Sequence, residues 1–214
     1  MSKKLLIVIY FLLLLPALAN AKLEYTGFDG GMMVHTGFVT GKNIDIYNDN
    51  NQLMLSTTPK GAPTGIGGMA KVHFGKHLRI GMEGYVTNLK YSIKGTHSSL
   101  GWGGVMADCI WKPGRFWPFV GGTIGGGGFK NMVLTQDYTN DYITEQNVLY
   151  RHYSMMLITP YVGVEFALTE KIHLALKLDY IIPVVGRQND FATGPRIYFG
   201  FMFHRGKPQQ NISK

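Results

Sequence analysis

Two short segments carry the residue pair that hydrolysis of an acyl ester needs. His97-Ser98-Ser99 and His152-Tyr153-Ser154 each set a serine two positions from a histidine, so an extended chain would put hydroxyl and imidazole on one face. A working nucleophile also needs an acid to orient the histidine. The carboxylate that follows the second pair, Glu165, lies about eleven residues beyond Ser154, toward the other end of the same segment. The run Gly125-Gly126-Gly127-Gly128 invites comparison with a phosphate-cradling loop, but no lysine with serine or threonine follows and no helix opens after it. It reads instead as a strand end and bend. His35, His73, His77, His97, His152, His173 and His204 show no pair at metal-ligand spacing, so neither a metal nor a cofactor is expected.

The elements that would have to position such residues begin after a leader. Lys3 and Lys4 precede an apolar run from Leu5 to Leu15, and Ala19-Asn20-Ala21 offers small residues to a signal peptidase. The apolar run falls short of the roughly 20 residues a membrane helix requires. Residues 1–21 are therefore expected to be a cleaved signal peptide, and 22–203 a single domain. The lone Cys109 leaves no disulfide within the chain. Charged residues make up 16 % of the sequence, against roughly 25 % in soluble proteins, while aromatic residues reach 13 % and glycines number 28. That balance suits a β-protein facing lipid. The net charge of +8 is spread along the chain rather than clustered, which argues against nucleic acid.

The periodicity is two. In 172–184, Ile172, Leu174, Leu176, Leu178, Tyr180, Ile182 and Val184 alternate with His173, Ala175, Lys177, Asp179 and Ile181, giving one apolar face and one charged face. Segments 66–74, 78–87, 156–166 and 196–203 alternate likewise, a further strand is expected over 25–38, and the glycine-rich stretches 99–111 and 116–129 complete eight. Gly75-Lys76-His77, Lys112-Pro113-Gly114-Arg115 and Leu168-Thr169-Glu170-Lys171 are tight turns, whereas 41–63, 94–98, 130–152 and 186–193 are longer and mostly polar. Short turns on one side and long loops on the other are the pattern of a transmembrane up-and-down antiparallel β-barrel, with short turns and both termini in the periplasm. Girdle aromatics are expected at Phe74, Trp111, Phe116, Trp117, Phe166 and Phe203 near the turns. Phe38, Tyr91, Trp102 and Tyr153 are expected near the loops.

Eight strands enclose a lumen that side chains can fill. The inward set pits Lys71, Arg79, Lys177 and Arg196 against Asp29, Glu83, Asp108, Glu165 and Asp179. Unpaired burial costs several kcal/mol per ion, so these charges are expected to pair as a plug; a polar path for small solutes is the alternative. Loop 130–152, with Asn131, Tyr138, Asn140, Tyr142, Asn147 and Tyr150, is the candidate binding loop, because such side chains make adaptable contacts.

Over roughly 23–203 the chain resembles the small outer-membrane barrels of the OmpA-transmembrane, OmpX and OmpW kind. The resemblance lies in architecture and in Tyr198-Phe199-Gly200-Phe201-Met202-Phe203, which looks like the aromatic final strand that assembly machinery recognises. Here 204–214 continue beyond it as an expected periplasmic tail. The two His-x-Ser segments are similar to the arrangement in outer-membrane lipid A deacylases, which implies an alternative as a lipid A-modifying hydrolase. The leading expectation is no enzyme but a structural, surface-recognition or assembly role. Expected partners are outer-membrane lipids and lipopolysaccharide, with protein partners in a larger outer-membrane assembly.

Overall fold

The computed structural model describes residues 24–47, 50–90, 96–134 and 148–206. The expected leader, Tyr91, and Tyr138, Asn140, Tyr142 and Asn147 of the candidate loop lie outside them. Among the described residues eight long strands form: β1 Tyr25–Gly37, β2 Thr64–Phe74, β3 Leu78–Lys90, β4 His97–Ile110, β5 Phe116–Leu134, β6 Val148–Ala167, β7 Ile172–Tyr180 and β8 Pro195–Gly206. Each pairs antiparallel with its sequence neighbour, and β1 pairs with β8 from Gly27↔Gly206 to Gly37↔Arg196. The sheet thus closes on itself and leaves no open edge along the barrel wall. Both ends of the described chain lie at the short-turn end, where Gly206 stands opposite Gly27 and Gly75 N–H donates to the Glu24 carbonyl at 2.8 Å.

Alternation sorts the side chains. Met32, Val34, Met82, Val105, Val162 and Phe201 are exposed on the outer surface, while their sequence neighbours Met33, Glu83, Met106, Tyr161 and Met202 are buried. This outer belt is far larger than the few hundred Å² of contiguous apolar surface a soluble monomer tolerates. In β7 the expected faces hold at every position, with Leu176 and Leu178 exposed and Lys177 and Asp179 buried. The strand itself is shorter than the alternation suggests: it stops at Tyr180, and Ile182–Val185 forms a separate short strand against Met156–Ile158 of β6.

Three expected girdle residues point inward instead: Tyr153 packs on Phe129 and donates to Asp190 in the mouth, and two tryptophans join it. Trp102 is buried, sharing parity with Leu100, Met106 and Asp108, and Trp117 turns its ring toward His173 and His204. Tyr25, Trp111, Phe116 and Phe203 remain exposed at the turn end. The glycine run is not a strand end either, because β5 continues through it to Leu134. Its role is close approach: a Cβ on Gly125 would lie 2.1 Å from the Gly103 carbonyl oxygen, and one on Gly104 2.4 Å from that of Ile124. Only glycine lets β4 and β5 pack this tightly.

The long-loop end is capped from within. Loop segment 38–63 carries two small hairpin pairings, Val39–Thr40 with Lys60–Gly61 and Ile44–Tyr47 with Leu53–Thr57. The connection between β7 and β8 folds into the mouth, where Thr193 exchanges two backbone hydrogen bonds with Thr40 and Phe191 packs on Phe129 at 5.4 Å. Asp190 there accepts hydrogen bonds from Asn131 Nδ2 at 3.2 Å and Tyr153 Oη at 2.9 Å.

Candidate functional site

Every one of the nine charged residues expected inward is buried: Asp29, Lys71, Arg79, Glu83, Asp108, Glu165, Lys177, Asp179 and Arg196. They form two layers across the lumen. In the layer nearer the short turns, Arg79 from β3 reaches three strands at once. Its Nε and Nη2 donate to the two Asp108 carboxylate oxygens at 2.5 and 3.0 Å, and its Nη1 donates to Glu165 at 2.6 Å and to Asp29 at 3.2 Å. Lys71 adds a hydrogen bond to Glu165 at 3.2 Å and lies 3.5 Å from Asp108. Both cations sit about 5.0 Å from the Phe119 ring centroid, a further electrostatic attraction where water is excluded.

The second layer centres on Lys177. Its Nζ donates to Glu83 Oε2 at 2.6 Å and lies 3.7 Å from Asp179, while Thr123 donates to the other Glu83 oxygen at 2.5 Å. The rings of Tyr198, Tyr85 and Tyr161 surround that ammonium at 4.4, 4.9 and 5.0 Å. Asp179 and Arg196 stand opposite each other in the β7–β8 register. Above them, Arg196 lines a small cavity with Thr87, Ser98, Phe129 and Phe191, and its Nε and Nη1 make no hydrogen bond. His35 is held below the cap by Thr87 at 2.9 Å and by the Tyr198 ring at 4.6 Å.

Several lumen residues were not assigned a role by sequence. His73 and His204 both engage Asp29, each at 2.5 Å, through Nε2 and Nδ1 respectively. His204 was expected in the tail, yet β8 runs on to Gly206 and His204 N–H donates to the Lys171 carbonyl at 2.8 Å. His173 stacks on His204 with ring centroids 5.3 Å apart. Parity alone already placed His73 and His173 inward; that His73 and His204 converge on Asp29 is a property of barrel closure and leaves no trace in local spacing. Lys112, in the turn below, sits over Trp117 at 4.6 Å with its Nζ 3.5 Å from His73 Nδ1. Desolvation there lowers its ammonium from the ordinary lysine value, aided by the nearby Arg79 charge and opposed by Asp29 and Glu165.

The other sequence candidates fall elsewhere. Asn131 belongs not to a loop but to β5, buried and bonded to the cap at Asp190, because β5 and β6 remain paired as far as Leu134 and Val148. Tyr150 lies in β6 and is exposed. His152 and Ser154 are exposed on the outer side of β6, as is His97 on β4, whereas Glu165 and Asp108 on those two strands face the lumen. Neither His-x-Ser pair therefore shares a face with the carboxylate of its own strand.

No family model and no curated relative matches the sequence. Solved structures do match. Neisserial surface protein A superposes with a TM-score of 0.50 at 14 % identity, covering 83 % of this chain and 96 % of that one. Ail of Yersinia pestis, crystallised with the heparin analogue sucrose octasulfate, gives a TM-score of 0.49 at 9 % identity over 83 % of this chain and 99 % of that one. The outer-membrane protein OprG of Pseudomonas aeruginosa gives 0.47 at 12 % identity over 83 % and 97 %. With its closed ring of eight antiparallel strands, apolar outside and charged inside, the chain has the fold of the small outer-membrane β-barrels, the architecture of Neisserial surface protein A.

Proposed function

We propose that the protein is a bacterial outer-membrane barrel whose lumen is a structural plug and whose long-loop end is a recognition surface, without enzymatic activity. The observation that carries this reading is the filled interior: Arg79, Lys71, Lys177 and Tyr198 are each no more than 1 % exposed. The cap at Asp190 to Thr193 then covers the layers from the loop side. In this reading the short turns and both termini face the periplasm, and the upper parts of β5 and β6 stand out toward the exterior. At roughly 3.4 Å per residue and a tilt of about 40°, strands of 19 and 20 residues overreach an apolar band about 25 Å tall. The excess carries exposed Leu149, Tyr150, Arg151 and His152, a mixed surface suited to lipopolysaccharide or a protein partner.

Planar-bilayer recording tests the plug. The purified barrel is expected to give no stable ohmic steps, because any through-path must part Arg79 from its carboxylates. Large, steady conductance from the wild type would replace the plug with a channel for small solutes. The non-enzymatic reading is tested separately by mass spectra of lipid A from cells expressing the protein and its Ser99→Ala and Ser154→Ala variants. All three are expected to match the non-expressing strain. Loss of an acyl chain that depends on either serine would make the protein a deacylase.

A further inference from the structure

The chain places four of its seven histidines, His73, His77, His173 and His204, at the short-turn end of the barrel. Three of them enter the lumen. His73 Nε2, His204 Nδ1 and a carboxylate oxygen of Asp29 lie within 4.8 Å of one another, with Asp29 and His73 buried. Two imidazoles and one carboxylate, brought together from β2, β8 and β1 with each ring on a different Asp29 oxygen, form a three-ligand set of the kind that holds such an ion. We propose that Asp29, His73 and His204 bind one divalent transition-metal ion of the zinc class at the short-turn mouth of the barrel.

A second observation points the same way. His173 is wholly buried, yet neither of its ring nitrogens makes a hydrogen bond; Nδ1 only approaches Glu165 Oε2, at 3.5 Å. An unsatisfied buried polar group costs about 1–3 kcal/mol, and a hydrophobic residue would fill the same space without that cost. Stacked on His204 with ring centroids 5.3 Å apart, the His173 ring flanks the three-ligand set without belonging to it. The surrounding charges balance: Asp29, Asp108 and Glu165 stand against Lys71 and Arg79 in this layer and Lys112 in the turn below. Arg79 Nη1, 3.2 Å from Asp29 Oδ2, fixes the carboxylate's orientation, the part an outer-shell partner plays at metal centres, while Oδ1 is paired with His204 Nδ1.

One neighbour opposes the ion. With metal on His73 Nε2, the ring proton moves to Nδ1, which now faces the Lys112 ammonium at 3.5 Å. Two donors then confront each other, so Lys112 must swing away from the mouth. Its position on the 111–115 turn allows that, and His204, partly exposed with 13 % of its side chain accessible, marks the route of entry.

The test uses untagged protein folded in detergent and stripped with a chelator. Isothermal titration with Zn²⁺ is expected to show one ion per barrel, and Co²⁺ in its place should give visible ligand-field bands. His73→Ala and His204→Ala should each weaken binding about a hundredfold or more, since losing a direct ligand costs at least what losing an outer-shell partner does. His77→Ala, at the same end but outside the cluster, should leave it unchanged, and Lys112→Ala should tighten it. Absence of stoichiometric binding by the stripped wild type overturns the proposal, and that measurement stands even if a variant fails to fold. Binding retained by both His73→Ala and His204→Ala overturns it equally.

Discussion

Arg79→Met is expected to abolish, or bring close to abolition, the folded form of the barrel that resists detergent on unboiled gels. Methionine keeps most of the arginine stem and removes the charge, so the change isolates electrostatics from packing. Asp29, Asp108 and Glu165 then stay buried without the guanidinium that bonds all three. Breaking one buried ion pair costs about 3–5 kcal/mol, a large part of the roughly 5–15 kcal/mol that separates folded from unfolded domains. Lys71 keeps contacts only to Glu165 and Asp108. Adding Asp108→Asn to Arg79→Met should restore part of the loss, because the residue with the bidentate contact no longer carries an unpaired charge; that coupling is what a double-mutant cycle measures. Urea titration of the gel-shift form reads both. A loss below about 1 kcal/mol, the size expected of a solvent-screened pair, would mean that water reaches this layer, and the plug reading would fall with it.

That network shows where sequence was informative. Alternation of apolar and polar residues at period two assigned Lys71, Arg79, Glu165, Lys177 and Asp179 to the interior from local pattern alone, since a strand's neighbours must face opposite ways. The same logic left the glycine-rich strands open, because glycine has no side chain to reveal its face. In the structure, parity with Met106 and Asp108 sends Trp102 inward, contrary to the girdle position its type suggested. Asn131 was misplaced for a related reason: polar loop composition hid the continuation of β5 and β6 beyond the apolar band. The Asp29, His73 and His204 convergence is a third kind of case. Each lies on a different strand, and β1 meets β8 only because the barrel closes, joining residues 175 positions apart. Closure is a global property, with no sequence spacing of its own.

Leu176→Arg tests the lipid-facing side of the same strand that supplies Lys177. Leu176 is exposed at the middle of β7, between Val164 of β6 and exposed Phe199 of β8. Hydrocarbon should meet it there, and arginine at a bilayer midplane costs about 2–4 kcal/mol in such barrels. Refolding into lipid vesicles, followed by denaturant titration, should show that loss; in a soluble barrel the same substitution would be worth within about 0.5 kcal/mol, as at ordinary surface positions. The adjacent Lys177→Arg behaves differently in kind. The sign of charge is kept, but three tyrosine rings within 5.0 Å leave no room for a planar guanidinium, so about 1–3 kcal/mol is lost to overpacking. Energies of similar size then need a positional readout to separate them. Single cysteines at Leu174, Leu176 and Leu178, in a Cys109→Ala background, should carry spin labels quenched by lipid-soluble agents. Labels at His173, Ala175 and Asp179, all buried in the lumen, should be silent to those agents. Equal quenching at both sets would remove the register of β7, and because that register is paired residue by residue with β6 and β8, the assignment of the whole charged interior would go with it.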